Sequence, residues 1–182
     1  KTSALEKYLL IDFGGAIAAF QHSVQFRPSH AASFLALGRM LEFEERNISA
    51  LLCYMRFHTT EPDSEKAKEN LKNVKDLIFS NVEKVDDNIV IISVATSGLE
   101  ELGGEEKAEN SFQSVELILS MQSALDLGGN KGEKTEVEIF EEKLSSIFSI
   151  MEDTKDENSG FYWDFVVPYF IELHQNEYEK VL

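Results

Sequence analysis

Along residues 31 to 43, Phe34, Leu37, Gly38 and Leu41 follow one another at spacings of three, one and three, the period of a helix with one buried stripe. On either side of it a second pattern occurs twice. Ala16 is followed four residues later by Phe20, and Ala50 by Tyr54; Pro28 and Pro62 each stand eight residues beyond the ring. A small residue and a ring four apart share a helix face, where the small one admits a neighbouring helix and the ring fills the space between them. Proline cannot continue the amide ladder, so each of these helices should end before it. Ala16 meets Ala50, Phe20 meets Tyr54 and Pro28 meets Pro62 at one offset of thirty-four residues, with Ala19/Cys53 and Val24/His58 alongside. Gly38 in mid-helix costs about 1 kcal/mol relative to alanine, a cost explained by a neighbour packed so closely that a Cβ would collide.

Two antiparallel helices per thirty-four residues build a right-handed helical solenoid. With Phe34, Leu37-Gly38 and Leu41 in the first helix and Ala50, Tyr54 and Pro62 in the second, the sequence resembles the tetratricopeptide repeat family. The preceding copy keeps its second helix as Phe13-Gly-Gly-Ala16, Phe20, Ser23 and Pro28, and its first helix would be the opening segment up to Ile11. A third first-helix is expected over residues 65 to 79, with Leu71 in the leucine position and Lys72 in the glycine position. Phe57 stands where the family has a small residue, and Glu45 and Asn47 where its inter-helix turn prefers glycine and an aromatic. The resemblance covers about residues 3 to 79.

Beyond it the thirty-four-residue phase is lost. Ile89, Ile92, Thr96 and Leu99 keep helical spacing, although the run from Ile89 also suits a buried strand. With no partner strand evident, a helix is expected over residues 86 to 102. After Gly103-Gly104, Ala108, Phe112 and Val115 open another, carried by Leu119 and Leu125 to about Leu127, so that residues 86 to 125 form a degenerate helical pair. Residues 128 to 135 read as a surface loop, and Val137, Phe140, Leu144, Ile147, Phe148 and Met151 as a further helix with a wide buried face. Six of the ten residues from 161 to 170 are aromatic, in a last helix that Pro168 should bend or end early. It serves either to close the open end of the stack or, through Tyr162, Trp163 and Tyr169, as a contact surface, since such rings are common anchors in interfaces. The expected fold is therefore all-α: tetratricopeptide-like repeats over residues 1–80 and an acidic, divergent helical region over 81–182 that continues the same stack.

Charge separates those halves. Residues 1 to 80 carry ten Lys or Arg against ten Asp or Glu, and residues 81 to 182 carry seven against twenty-three, so the net charge of −16 belongs to the second half. Such a surface repels phosphate backbones and anionic lipid, which argues against nucleic acid and membrane and leaves a basic protein as one suitable partner. No apolar run approaches the eighteen or so residues that span a bilayer. The chain opens at Lys1 without an initiator methionine, so a cytoplasmic protein and one exported after loss of a signal peptide both fit. Cys53, the lone cysteine, reads as a small buried hydrophobe.

Chemistry is sparse. The histidines at 22, 30, 58 and 174 give no pair with metal-ligand spacing on one helix, and Glu44-Glu45, Glu100-Glu101 and Glu105-Glu106 diverge around a helix rather than converge. The loop at 128 to 135 has Glu133 between Gly132 and Lys134 and follows a helix, unlike a phosphate-binding loop. The oxygen-rich segment at 152 to 160 has Asn158 where a calcium loop turns on glycine. Neither an enzymatic role nor a cofactor or metal is expected. The resemblance implies instead that the first helix of each pair lines a concave groove, at Leu35, Arg39, Glu42 and Phe43 in the second copy and Lys66, Glu69, Asn73 and Asp76 in the third. Ala32 and Ala36 replace polar members of the set with which chaperone-type relatives grip a C-terminal carboxylate, while Lys66, Asn70 and Asn73 partly match it. A module binding a peptide or protein in that groove is the leading expectation. The alternative is a structural or self-associating domain, a homo-oligomer included, whose groove is filled by its own C-terminal helices.

Overall fold

A computed structural model of the chain describes residues 13–79, 82–86, 89–92, 109–128 and 134–176. Among them are seven α-helices packed in antiparallel pairs: α1 (Phe13–Phe26), α2 (Ala31–Phe43), α3 (Asn47–Thr60), α4 (Glu65–Phe79), α5 (Gln113–Gly128), α6 (Glu136–Thr154) and α7 (Val167–Gln175). The opening helix expected up to Ile11, the stretch from residue 93 to Ala108, most of the loop at 128 to 135 and the tail past 176 lie outside the described residues.

The thirty-four-residue offset holds in the helices themselves. Helices α1 and α3 are both fourteen residues long and begin thirty-four apart, and Pro28 and Pro62 stand two residues past their ends. At the start of α4 the Ser64 hydroxyl accepts from the Ala67 N–H at 3.1 Å. At α6, Thr135 and Glu138 form a reciprocal capping box that holds the Glu138 carboxyl below its usual range. Gly38 lies against the ring of Tyr54, where an added Cβ would stand 2.6 Å from two ring carbons. The close approach of α2 to α3 that a mid-helix glycine implies is thus present.

Three expectations are corrected. Ile89–Ile92 is strand β2, not helix; it pairs antiparallel with β1 (Val82–Asp86), Val82 facing Ile92 and Lys84 facing Val90, with an irregularity between Lys84 and Asp86. A two-stranded ribbon is marginal alone, and here it lies against α5. The β-branched run takes up its strand propensity because a partner segment precedes it.

In α4 the buried residues are Ala67, Asn70, Val74, Leu77 and Ile78, one position ahead of the register that placed Leu71 with Leu37; Leu71 is 45% exposed whereas Leu37 is fully buried. Lys72 cannot enter a close helix contact, and turning the helix by one residue leaves it in solvent.

Pro168 does not end the last helix; it sits in the first turn of α7, behind a π-helical turn over Tyr162–Val166 in which the Val167 N–H donates to the Tyr162 carbonyl. Widening the coil by one residue makes room for the proline ring where an α-helical turn would collide with it.

One continuous core runs from Ile17 to Ile171. Its second half is fastened by specific locks. Asn110, at φ 61°, donates its N–H to the Ser159 carbonyl at 2.8 Å and accepts the Tyr162 N–H on its side chain at 2.8 Å. Gly160, at φ 110°, leaves no room for a Cβ beside the Asn110 amide. Trp163 donates its indole N–H to the Ser111 carbonyl at 2.9 Å and stacks on Phe112 with ring centroids 4.6 Å apart.

Candidate protein-interaction face

Helix α2 is flanked by α1 and α3, so its buried residues Ala31, Ser33, Phe34, Leu35, Leu37, Gly38 and Leu41 cover an arc of about 200° at 100° per residue. Leu35, expected to line the groove, falls inside that arc and is only 5% exposed. Arg39 and Glu42 remain on the open side. Phe43 is 69% exposed although its ring stacks on Phe13, centroids 4.5 Å apart. On α4, Lys66, Glu69 and Asp76 are exposed and Asn73 is half-buried.

Three of the expected positions meet around one phenol. The Tyr54 hydroxyl donates a hydrogen bond to the Glu42 carboxylate, and the Asn73 side chain and the Arg39 charge both act on the same hydroxyl. Burial, then the hydrogen bond and charge of Glu42, push the Tyr54 pKa well above its ordinary value, with Asn73 and Arg39 opposing, so the phenol keeps its proton. The polar run continues across α4 into α3. The Asn73 amide donates to Asn70 Oδ1 at 3.4 Å, which leaves Asn70 Nδ2 to donate to His58 Nε2 at 3.3 Å. That bond needs His58 neutral with its proton on Nδ1, and burial lowers the His58 pKa accordingly.

Tyr54 and His58 were not among the positions expected in the groove, and Asn70 entered only as a partial match to the carboxylate-gripping set. One signal for them was present: at the thirty-four-residue offset Tyr54 carries a hydroxyl where the other copy has Phe20, and a buried hydroxyl needs a partner. Lys66, Glu69 and Asp76 take no part in the run and stand on the open surface of α4.

The aromatic C-terminal segment goes elsewhere. Tyr162 and Trp163 are 0% and 1% exposed, so neither forms the contact surface expected of them. Gln21 of α1 donates to the Tyr162 hydroxyl at 3.2 Å, and the Arg46 guanidinium lies 5.3 Å over the Tyr162 ring at the start of α3. Tyr169 is half-buried beneath Arg56, whose guanidinium lies 3.7 Å from its centroid and also donates to the Pro28 carbonyl. These contacts attach the segment to α1 and α3, the second helices of the two pairs. Cys53 is fully buried beside it, and burial pushes its thiol pKa far up.

Among the described residues no three His, Cys, Asp or Glu side chains gather as a metal site would need, and no helix is long and apolar enough to cross a membrane. No protein-family model matches the sequence, and comparison with curated proteins and with solved structures returns no match.

Proposed function

We propose that this chain is a protein-interaction or scaffold module of the tetratricopeptide kind, without catalytic activity of its own, and that it holds a peptide or protein segment along the open side of α2 and α4. The antiparallel helix-pair architecture is compatible with such a role. The observation that favours an open face over a self-filled one is the seat of the aromatic C-terminal segment. Tyr162 meets Gln21 and Arg46, and Tyr169 meets Arg56, so the segment lies on the second helices. Arg39, Glu42, Phe43, Lys66, Glu69 and Asp76 stay exposed on the first helices. In this reading Phe43 supplies apolar grip, Arg39 and Lys66 meet acidic groups of the ligand, and the run from Glu42 to His58 holds the backing helices in register behind them.

The test is affinity capture from extract of the source organism with three baits: the wild type, Arg39→Glu plus Phe43→Ala, and a control with Gln25→Lys and Glu172→Lys, exposed positions on other helices. Circular dichroism verifies each fold. A protein retained by the wild type and the control but lost from the first variant supports the open-face reading. A partner held equally by all three removes it.

A further inference from the structure

Helix α5 is apolar on two opposite sides. Val115, Leu119, Ser120 and Ser123 are buried, while Leu117, Ile118, Met121 and Leu125 are 50%, 36%, 52% and 73% exposed. Leu117, Met121 and Leu125 are spaced by four, so they form one outward stripe. A contiguous exposed apolar stripe marks an interaction surface, whereas scattered exposed apolar residues do not. Of the eight large hydrophobic residues exposed among the described ones, five lie here, counting Val137 at the start of α6. The stripe leads at Leu125 into a groove of about 410 Å³ between α5 and α6, lined also by Ile139, Gln122, Glu142, Lys143 and Ser146. On that lining Gln122 donates its amide to Ser146 at 2.8 Å, while its buried Oε1 has no hydrogen-bond partner.

The surroundings select the partner's charge. Helix α6 carries six acidic residues, Glu136, Glu138, Glu141, Glu142, Glu152 and Asp153, against the single base Lys143, which is buried; Glu136 pairs with Lys75 of α4 at 2.8 Å. Lys134 pairs with Glu142 at 2.6 Å, but both are exposed, and an exposed pair exchanges partners at little cost. A second copy of this chain would bring a like-charged rim against this one, which disfavours a self-complementary contact. We propose that the α5 stripe and the α5–α6 groove dock an amphipathic, basic helix of another protein, its apolar side on Leu117, Met121 and Leu125 and its Lys and Arg residues on the acidic rim. This site is separate from the open side of α2 and α4 and does not depend on it.

The experiment titrates the full chain against designed peptides, read by fluorescence anisotropy at fixed salt. One is a Leu/Lys helix with its leucines on one face, the second has the same composition with the leucines spread around the helix, and the third replaces Lys by Glu in the first. The expected result is at least tenfold tighter binding of the first peptide than of either other. At least a tenfold loss is expected when the protein carries Leu117→Ser, Met121→Ser and Leu125→Ser. Equal affinity for the two basic peptides would reduce the effect to charge and overturn the proposal. So would undiminished binding by the serine variant. Sedimentation of the wild type supplies the other contrary outcome: a dimer that the serine variant loses and the first peptide does not dissociate would put a second copy in the groove. The peptide comparison uses the wild type alone, so it stands even if the serine variant fails to fold.

Discussion

Helix pair α2–α3 and helix pair α5–α6 share an antiparallel arrangement but sort their side chains differently. In α2–α3 every large apolar residue but Phe43 and the half-buried Met40 is buried, and the one close approach falls on Gly38. In α5–α6 apolar side chains face both the core and solvent, and besides their share of that core the segments flanking the pair are tied by individual contacts at Asn110, Gly160 and Trp163. Both pairs share in one core; the first adds a pattern that recurs along the chain, the second adds contacts that occur once. A recurring pattern spreads stability over many similar positions, whereas a single lock concentrates it.

The sharpest way to break the comparison is Trp163→Ala. It removes a buried ring from Phe112 together with the bond to the Ser111 carbonyl, and it should cost about 3–5 kcal/mol in urea unfolding. A loss below about 1 kcal/mol would show that the C-terminal half is not held there. Gly38→Ala tests the other pair. Propensity alone would make alanine about 1 kcal/mol better in mid-helix, but its Cβ meets the Tyr54 ring, and overpacking should turn the change into a net loss of about 1–3 kcal/mol. A stabilised Gly38→Ala protein would mean that α2 and α3 are not packed this closely.

What the sequence made legible follows the same division. Small residue, ring and proline at fixed spacings marked α1 and α3 as equivalent, because each of those residues acts within its own helix or on its immediate neighbour. Arg39, Glu42, Phe43, Lys66, Glu69 and Asp76, which the resemblance implied as groove positions, are exposed. Leu35 was misplaced because its burial depends on how the neighbouring helices pack around α2, which periodicity within α2 does not report. The ribbon was missed because β1 and β2 specify each other only once paired, and the polar residues within Val82–Asp86 hid the partner. The run from Glu42 through Tyr54, Asn73 and Asn70 to His58 joins three helices, so no local spacing carries it.

A smaller contrast tests the register of α4. If the helix is turned by one residue, Leu71 is not the counterpart of Leu37. Leu37→Ala should then cost about 2–5 kcal/mol and Leu71→Ala no more than about 1, measured side by side in the same denaturant series. Comparable losses would restore the thirty-four-residue register and with it a longer regular stack.

The least of the expected effects concerns polar groups at the helix contacts. In α2–α3 the buried Tyr54 hydroxyl is met by Glu42, whereas in α5 burial alone raises the Glu116 pKa to about 7. The folded value lies above the unfolded one, so the folded chain holds this proton more tightly. The resulting stability is fully present below about pH 4.5, the unfolded value, and is lost as pH rises through about 7. Glutamine keeps the shape and stays neutral. Glu116→Gln should therefore unfold with the wild type at pH 4, where both side chains are uncharged, and be more stable at pH 8, read as a rise in Tm of a few degrees. An equal difference at both pH values would assign the effect to shape rather than charge. Glu116 would then cease to distinguish the C-terminal pair, and the contrast with α2–α3 would rest on packing alone.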